Sequence, residues 1–296
     1  MAILSTLPLA HEQIAAPTTH PWRLISLWHL TSLDAPTVAV VWMLGFAGAA
    51  RVRLPVWLPI VLALAAWSFY IGDRLLDAHN ARTPLRERHH FHWRHRRIFL
   101  PIAIMSAAVG LALVFHSMPL AARERNSVLA AAALAYFGSV HFPGRTSLRR
   151  FKIPKELLVG ILFTLACAAP VLARIAGPET TDRRLGLFPA LLCFTALAWL
   201  NCHAIESWES AIEEGNVAIR NLGLGLAAIV LLAAGIEVGV HDLRVAALLA
   251  AAALSAFFLA WLDRQRSALD AITLRAAADL VLLTPVLLLT ARFFGL

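Results

Sequence analysis

Charge is scarce in this chain: 15% of its 296 residues are Asp, Glu, Lys or Arg, where soluble chains carry about 25%. With 59% hydrophobic residues, that scarcity excludes an ordinary water-soluble globule. Sustained alternation of apolar and polar residues is missing as well, which excludes a transmembrane barrel. There are only three cysteines, Cys167, Cys193 and Cys202, all in apolar stretches and none in CxxC spacing. They provide no disulfide framework. The first 22 residues lack a basic region followed by an apolar core and a cleavage site, so they read as a short pre-helical arm and not as a cleaved signal. No soluble basic domain with base-stacking aromatics is present, so the net charge of +8 does not point to nucleic acid.

Long apolar runs are abundant. Spans at 26–50, 54–79, 98–119, 127–143, 156–176, 185–208, 217–240, 243–263 and 276–296 are each near the ~20 residues that a bilayer core requires. They predict an all-α polytopic membrane bundle of about nine transmembrane helices. Residues 1–25 form an N-terminal cytoplasmic arm and 26–296 a single helical domain. Pro55, Pro143, Gly177-Pro178 and Gly215 punctuate helix ends. Pro101, Pro170 and Pro285 fall inside spans, where neighbouring helices can satisfy the freed carbonyls. With the N-terminus inside, the inner segments hold 16 Lys and Arg (17 with Arg74) and the outer segments nine. That bias predicts a multi-pass protein of an inner or plasma membrane, its N-terminus cytoplasmic and its C-terminus outside.

The second span ends in two carboxylates, Asp73 and Asp77, four residues apart and therefore on one helical face. Acids at membrane depth are costly, and their presence is a functional pointer. The sixth span ends in Glu206 and Glu209, which the topology puts at the same level. Mg²⁺ takes one or two carboxylates together with waters and substrate phosphates. All four acids are therefore candidate metal ligands and catalytic residues, against the alternative that they only pair with Arg74, Arg82 or the basic loop.

That loop, Arg82 to Arg97, holds six arginines and four histidines. Arg82 and Arg86 lie nearest the aspartates and are candidate diphosphate ligands by the Arg fork. His89, His90, His92 and His95 allow a metal-binding box, and an interfacial anchor around Trp93 is the third reading. Lys155 opens the fifth span and can reach the same mouth, although Glu156 beside it can neutralise it. Asn201 and His203 lie near the second acid pair and can touch substrate or bond between helices. Phe69, Tyr70, Phe163, Trp199 and Trp208 can wall an apolar tunnel or simply pack. Asp34 has no evident local partner and can line the chamber. Asp279 lies four residues after Arg275, a spacing that suits an ion pair.

The arrangement resembles the UbiA superfamily of intramembrane prenyltransferases. Those proteins have nine transmembrane helices and an Asn-Asp-x-x-Asp-x-x-x-Asp motif that closes helix 2. Asp73-Arg-Leu-Leu-Asp77 matches its last two aspartates, and Arg82-Thr83 falls at the family's usual distance. The family's second acidic motif closes helix 6, where this chain has Glu206 and Glu209. A basic residue near the start of helix 5 has its counterpart in Lys155. Phe69-Tyr70 stands in the place of the family's Asn-Asp, and the second motif is shortened and built on glutamate. The resemblance implies a Mg²⁺-dependent enzyme that ionises an isoprenyl diphosphate and transfers it to an acceptor, or cyclises it. It also implies Asp73, Asp77, Glu206 and Glu209 around the metal, with Arg82, Arg86, Lys155, Asn201 and Tyr70 on the substrate.

Two other readings stay open. One is a UbiA-like lipid-binding or transport protein whose metal site has decayed, which the missing Asn-Asp half favours. The other is a histidine-box membrane oxidase, which has only the one cluster from His89 to His95. The prenyl chain length, the acceptor and the oligomeric state are not written in the residues.

Overall fold

The structure is a computed structural model that describes residues 20–80, 86–141, 154–209 and 216–289. These residues are helical in α1 (His20–Leu30), α2 (Asp34–Ala49), α3 (Trp57–Asn80), α4 (Glu87–Arg94), α5 (Arg96–Ser117), α6 (Leu120–His141), α7 (Lys155–Leu172), α8 (Thr181–Glu209), α9 (Asn216–Gly239), α10 (Leu243–Gln265) and α11 (Ala271–Leu280). Among the described residues there is no strand. Seven helices are long and apolar enough to cross a membrane, and the bent pair α1–α2 adds an eighth if it is one span. This is an all-helical membrane protein.

The bundle is built around α2. Nearly every residue of α2 is buried, and an α-helix that is apolar all round belongs inside a large core. Trp42 sits at its centre, fully buried, stacked on Phe194 of α8 with ring centroids 3.9 Å apart. Its indole N–H donates to the Leu282 carbonyl at 2.9 Å, so this large apolar ring also has its one polar atom satisfied. α3, α7, α8, α10 and the segment after α11 pack around it.

Three departures from the expected spans have physical causes. The first span is broken at residues 31–33, where Ser32 takes φ 55°, and the two halves meet at 88°. The freed backbone finds partners: Trp67 Nε1 donates to the Thr31 carbonyl at 2.9 Å, and Ala35 N–H donates to Asp34 Oδ1 at 2.8 Å. Such breaks are tolerated at membrane depth when the protein satisfies the orphaned groups. The expected span at 127–143 corresponds to α6, which is not among the seven. Arg123, Glu124 and Arg125 occupy its first turns, and the apolar stretch beyond them falls short of the ~20 residues needed to cross.

The last expected span begins as α11 and continues as 3-10 helix over Val281–Leu288, with Pro285 inside it. Proline removes an N–H donor there. Ser255 of α10 donates to the Val281 carbonyl at 2.7 Å, and Thr284 donates to the Ala251 carbonyl at 2.7 Å. Those hydroxyls tie the irregular segment to its neighbour.

The outer faces of α5 and α9 expose large apolar side chains, among them Ile98, Ile104, Met105, Ile229, Leu232 and Ile236. Apolar faces of this extent are normal only against lipid or another protein. Where helices must come close, small residues allow it. A Cβ on Gly160 of α7 would lie 3.0 Å from the Thr195 carbonyl oxygen of α8, and one on Gly223 of α9 would lie 2.9 Å from the Ala260 Cβ of α10.

Candidate functional site

The ends of α3 and α8 face one cavity of about 600 Å³. Asp73 and Asp77 line it from α3, and Glu206 and Glu209 from α8. So do Tyr70, Arg86, Lys155 and Asn201, while Arg82 lies outside the described residues. Among the described residues, seven carboxylates line this space (Asp34, Asp73, Asp77, Glu156, Glu206, Glu209 and Asp279), against five Lys and Arg (Arg74, Arg86, Arg88, Lys155 and Arg275). The formal surplus of these described residues is negative, a charge balance that suits an added cation. A second, largely apolar chamber of about 350 Å³ lies alongside, lined by Leu62, Ala65, Ala66, Phe69, Leu162 and Ala166. The two share a wall that includes Tyr70, Asp73, Arg74, Tyr136 and Phe163.

The two acid pairs have different surroundings. Asp73 and Asp77 are 38% and 40% exposed at the side chain. Their partner is His141, at the end of α6: its Nε2 is 3.0 Å from Asp73 Oδ1 and its Nδ1 is 3.6 Å from Asp77 Oδ1. The three side chains bring ligand atoms within 4.8 Å of one another. Glu209, by contrast, accepts from three guanidiniums. Arg86 Nη1 binds Oε2, while Arg88 Nη1 and Arg275 Nη1 each bind Oε1 at 2.6 Å. One carboxylate thus gathers cations from the start of α4, from α4 itself and from α11. Glu206 accepts from Lys155 at 3.4 Å, and Lys155 also lies 3.7 Å from Glu156.

α4 was not expected as a helix, yet it sets the basic wall. Burial, and then the charge of Arg74, push the Arg88 guanidinium down to about 10, so it stays protonated at neutral pH. Burial, and then the charge of Arg88, push His89 down to about 3. His89 is therefore neutral, and its Nε2 accepts from Arg88 Nε at 3.2 Å. Its 3.6 Å approach to Asp77 is consequently not an ion pair. His92, buried and held near 4, bonds to the Arg88 carbonyl at 2.8 Å and to Ser32 at 3.3 Å. His95 bonds to the Phe91 carbonyl at 2.8 Å, and His90 is exposed. Among the described residues, none of these four histidines joins a set of converging metal-ligand atoms.

Several expected pairings are replaced by others. Arg275 reaches Glu209 and not Asp279. Asp279 instead accepts from Asn201 Nδ2 at 3.0 Å and lies 3.4 Å from His29. Asp34 does have a local partner, His29 Nδ1 at 2.5 Å. Phe69, Tyr70 and Phe163 line the chambers, whereas Trp199 and Trp208 pack against the core, with Trp208 Nε1 donating to Asp263 at 2.8 Å. His141, Arg88 and His29 were not singled out from the sequence, and Arg275 was read only as a partner for Asp279. Their only signal was polarity inside or beside apolar text, which many structural residues share.

Four buried polar atoms among the described residues have no partner, and three belong to cavity residues: Arg74 Nε, Arg275 Nε and Asn201 Oδ1. Two are donors suited to an anion and one is an acceptor. Buried polar groups are usually hydrogen-bonded, so a cluster of unpaired ones beside a cavity is out of the ordinary. No protein-family model, no curated protein and no solved structure matches this chain.

Proposed function

We propose that the chain is an intramembrane prenyltransferase-like enzyme that binds an isoprenyl diphosphate with Mg²⁺ and transfers the prenyl group to an acceptor or cyclises it. The observation that carries this reading is the paired cavity. A chamber lined by acids and guanidiniums shares a wall with an apolar one, as an amphiphile with an anionic head and a hydrocarbon tail requires. Asp73 and Asp77 fit Mg²⁺, which accepts one or two carboxylates and fills its remaining positions with water and phosphate oxygens. His141 orients the Asp73 carboxylate from behind, a role that bonded neighbours of metal ligands commonly have. Bound there, the metal would neutralise charge on the diphosphate oxygens.

The rest is the work of the chain's own residues. Arg86, Arg88 and Arg275 present guanidiniums to the diphosphate while Glu209 holds them in place. Lys155 adds a flexible charge at the rim, with Glu206 as its counter-ion. Glu206 and Glu209, also candidate metal ligands, act in this reading chiefly by organising those cations. Such preorganised charge stabilises the leaving group as the C–O bond breaks. The apolar chamber, walled by Phe69 and Phe163, holds the chain and keeps water from the allylic cation. We place the acidic mouth on the cytoplasmic side with the N-terminus, on the Lys and Arg bias, and assign the family's nine-helix plan to the whole chain.

The test is titration of purified protein with farnesyl diphosphate, with and without Mg²⁺. Mg²⁺-dependent binding is expected, with loss in an Asp73→Ala/Asp77→Ala double variant. Equal binding by that variant overturns the reading. Mg²⁺-dependent binding with no product from any donor in a panel of prenyl diphosphates would favour the alternative, a lipid-binding relative without turnover.

A further inference from the structure

Helix α4 has two charged faces, and the chemistry of the cavity uses one of them. The inner face buries Arg88, His89 and His92. Arg88 Nη1 donates to Glu209 at 2.6 Å, and His92 bonds to Ser32 at the break between α1 and α2 at 3.3 Å. On the outer face Arg94 is exposed, as are Arg96 and Arg97 at the start of α5. Arg96 lies 4.7 Å from the centroid of the Trp93 ring and donates to the Trp93 carbonyl at 2.9 Å. Among the described residues, Arg94 and Arg97 have no hydrogen-bond or ion-pair partner. No Asp or Glu occurs in the sequence from Arg88 to Arg123, so the patch has no neighbouring acid along the chain to neutralise it. Directly after Arg97 the exposed surface turns apolar, with Ile98, Leu100 and Ile102. Charge gives way to hydrocarbon within one residue, which sets the arginines at the headgroup level of a bilayer, where an aromatic such as Trp93 also belongs.

We infer that Arg94, Arg96 and Arg97 bind the phosphate of an anionic phospholipid, and that this lipid tightens the cavity's hold on diphosphate. Guanidiniums suit phosphate oxygens, which they can grip with two parallel N–H donors. The acyl chains of the same lipid lie along the exposed apolar face of α5. The effect on the cavity rests on the reading of the mouth as a prenyl diphosphate site, whereas the lipid site stands without it. The link between them is the shortness of α4. It has eight residues, so a headgroup held at Arg94 fixes the same two turns that carry Arg88. Trp93 adds a second tie, its ring centroid 5.9 Å from that of His79 on α3, the helix that bears Asp73 and Asp77. A lipid that prefers the docked position of α4 shifts the protein toward it, with Arg88 facing the cavity. By linkage, the diphosphate tightens the lipid in return.

The experiment titrates the full chain, in neutral detergent, with dioctanoyl phosphatidylglycerol or dioctanoyl phosphatidylcholine and counts bound lipid by native mass spectrometry. Wild type is expected to bind the anionic lipid about tenfold tighter or more. An Arg94→Gln/Arg96→Gln/Arg97→Gln variant should lose that preference. Thermal melts establish that it is folded, and Arg94→Gln/Arg97→Gln, which leaves the contact of Arg96 with Trp93 in place, replaces it if it is not. Equal affinity of wild type for the two lipids, or an undiminished preference in the folded variant, overturns the lipid site. So does displacement of the anionic lipid by millimolar inorganic phosphate, which would make this a site for free phosphate. In a second arm, farnesyl thiodiphosphate and Mg²⁺ are titrated into wild type in nanodiscs with and without phosphatidylglycerol. Severalfold tighter binding with the anionic lipid is expected, and the folded variant should not show it. Bulk surface charge alone acts the other way, since lipid and ligand are both anions. Equal or weaker binding with the anionic lipid overturns the coupling. Failure of the analogue to bind in either disc, with the lipid preference intact, sinks the prenyl-transfer reading and leaves the lipid site standing.

Discussion

The imidazole of His141 lies 3.0 Å from Asp73 Oδ1, joining the end of α6 to the last turns of α3. The ring is buried while the carboxylate faces the cavity. The contact therefore fixes where that carboxylate points without covering it, and it ties a peripheral helix to the centre of the site.

Replacing His141 by Ala should weaken Mg²⁺ binding by about 10-fold or more, the usual effect of removing a group that orients a metal ligand. Isothermal titration of the variant with MgCl₂ in the presence of farnesyl thiodiphosphate measures it. An unchanged affinity would show that Asp73 needs no support from α6.

Glu209→Gln should destabilise the protein by about 3 kcal/mol, because three guanidiniums lose their shared counter-charge in a largely buried place. A drop in the midpoint of detergent-solubilised unfolding reads this out. If Glu209 works through the arginines, Mg²⁺ affinity falls less in this variant than in Asp73→Ala. The reverse order would make Glu209 a direct ligand.

Stability should decline as pH is lowered from 6.5 toward 4. His89 and His92 titrate near 3 and 4 when folded, against an ordinary value of 6.5. In that window the unfolded chain binds protons that the folded one refuses, so acid favours unfolding. Above 6.5 both states are neutral and the effect vanishes. Thermal melts across pH should show the slope, and a His89→Asn/His92→Asn variant should flatten it.

Gly160→Leu should lower thermal stability and reduce diphosphate binding together. A Cβ there already meets the Thr195 carbonyl at 3.0 Å and the Trp199 nitrogen at 3.1 Å, so a larger side chain forces α7 off α8. Lys155 and Phe163 ride on α7, and both cavities change with it. Normal binding in a destabilised variant would separate the packing from the site.

Much of this was legible in linear text because hydrophobicity needs no partner to be read. The runs that became α3, α5, α7, α8, α9 and α10 are long and apolar enough to declare themselves. Asp73 and Asp77 stood out for the same reason, as charges closing such a run. The helix α4 did not, because its residues are nearly all polar or basic and show no apolar stripe. Ser32 gave no sign of the break, since it takes a positive φ without being glycine. The Arg275–Asp279 spacing suggested a pair along one helix, but the partners that won come from α8 and α1.

The sequence by itself determined the solvent and the all-helical class: a chain with so few charges and such long apolar runs belongs in lipid, and lipid demands helices that satisfy their own backbone. Only the tertiary structure decided which charges meet. Glu209 gathers arginines from two other helices, and Asn201 and Asp279 face each other from α8 and α11. Electrostatic partners are chosen by distance in space, and distance in space depends on how helices pack, which no local pattern of residues encodes.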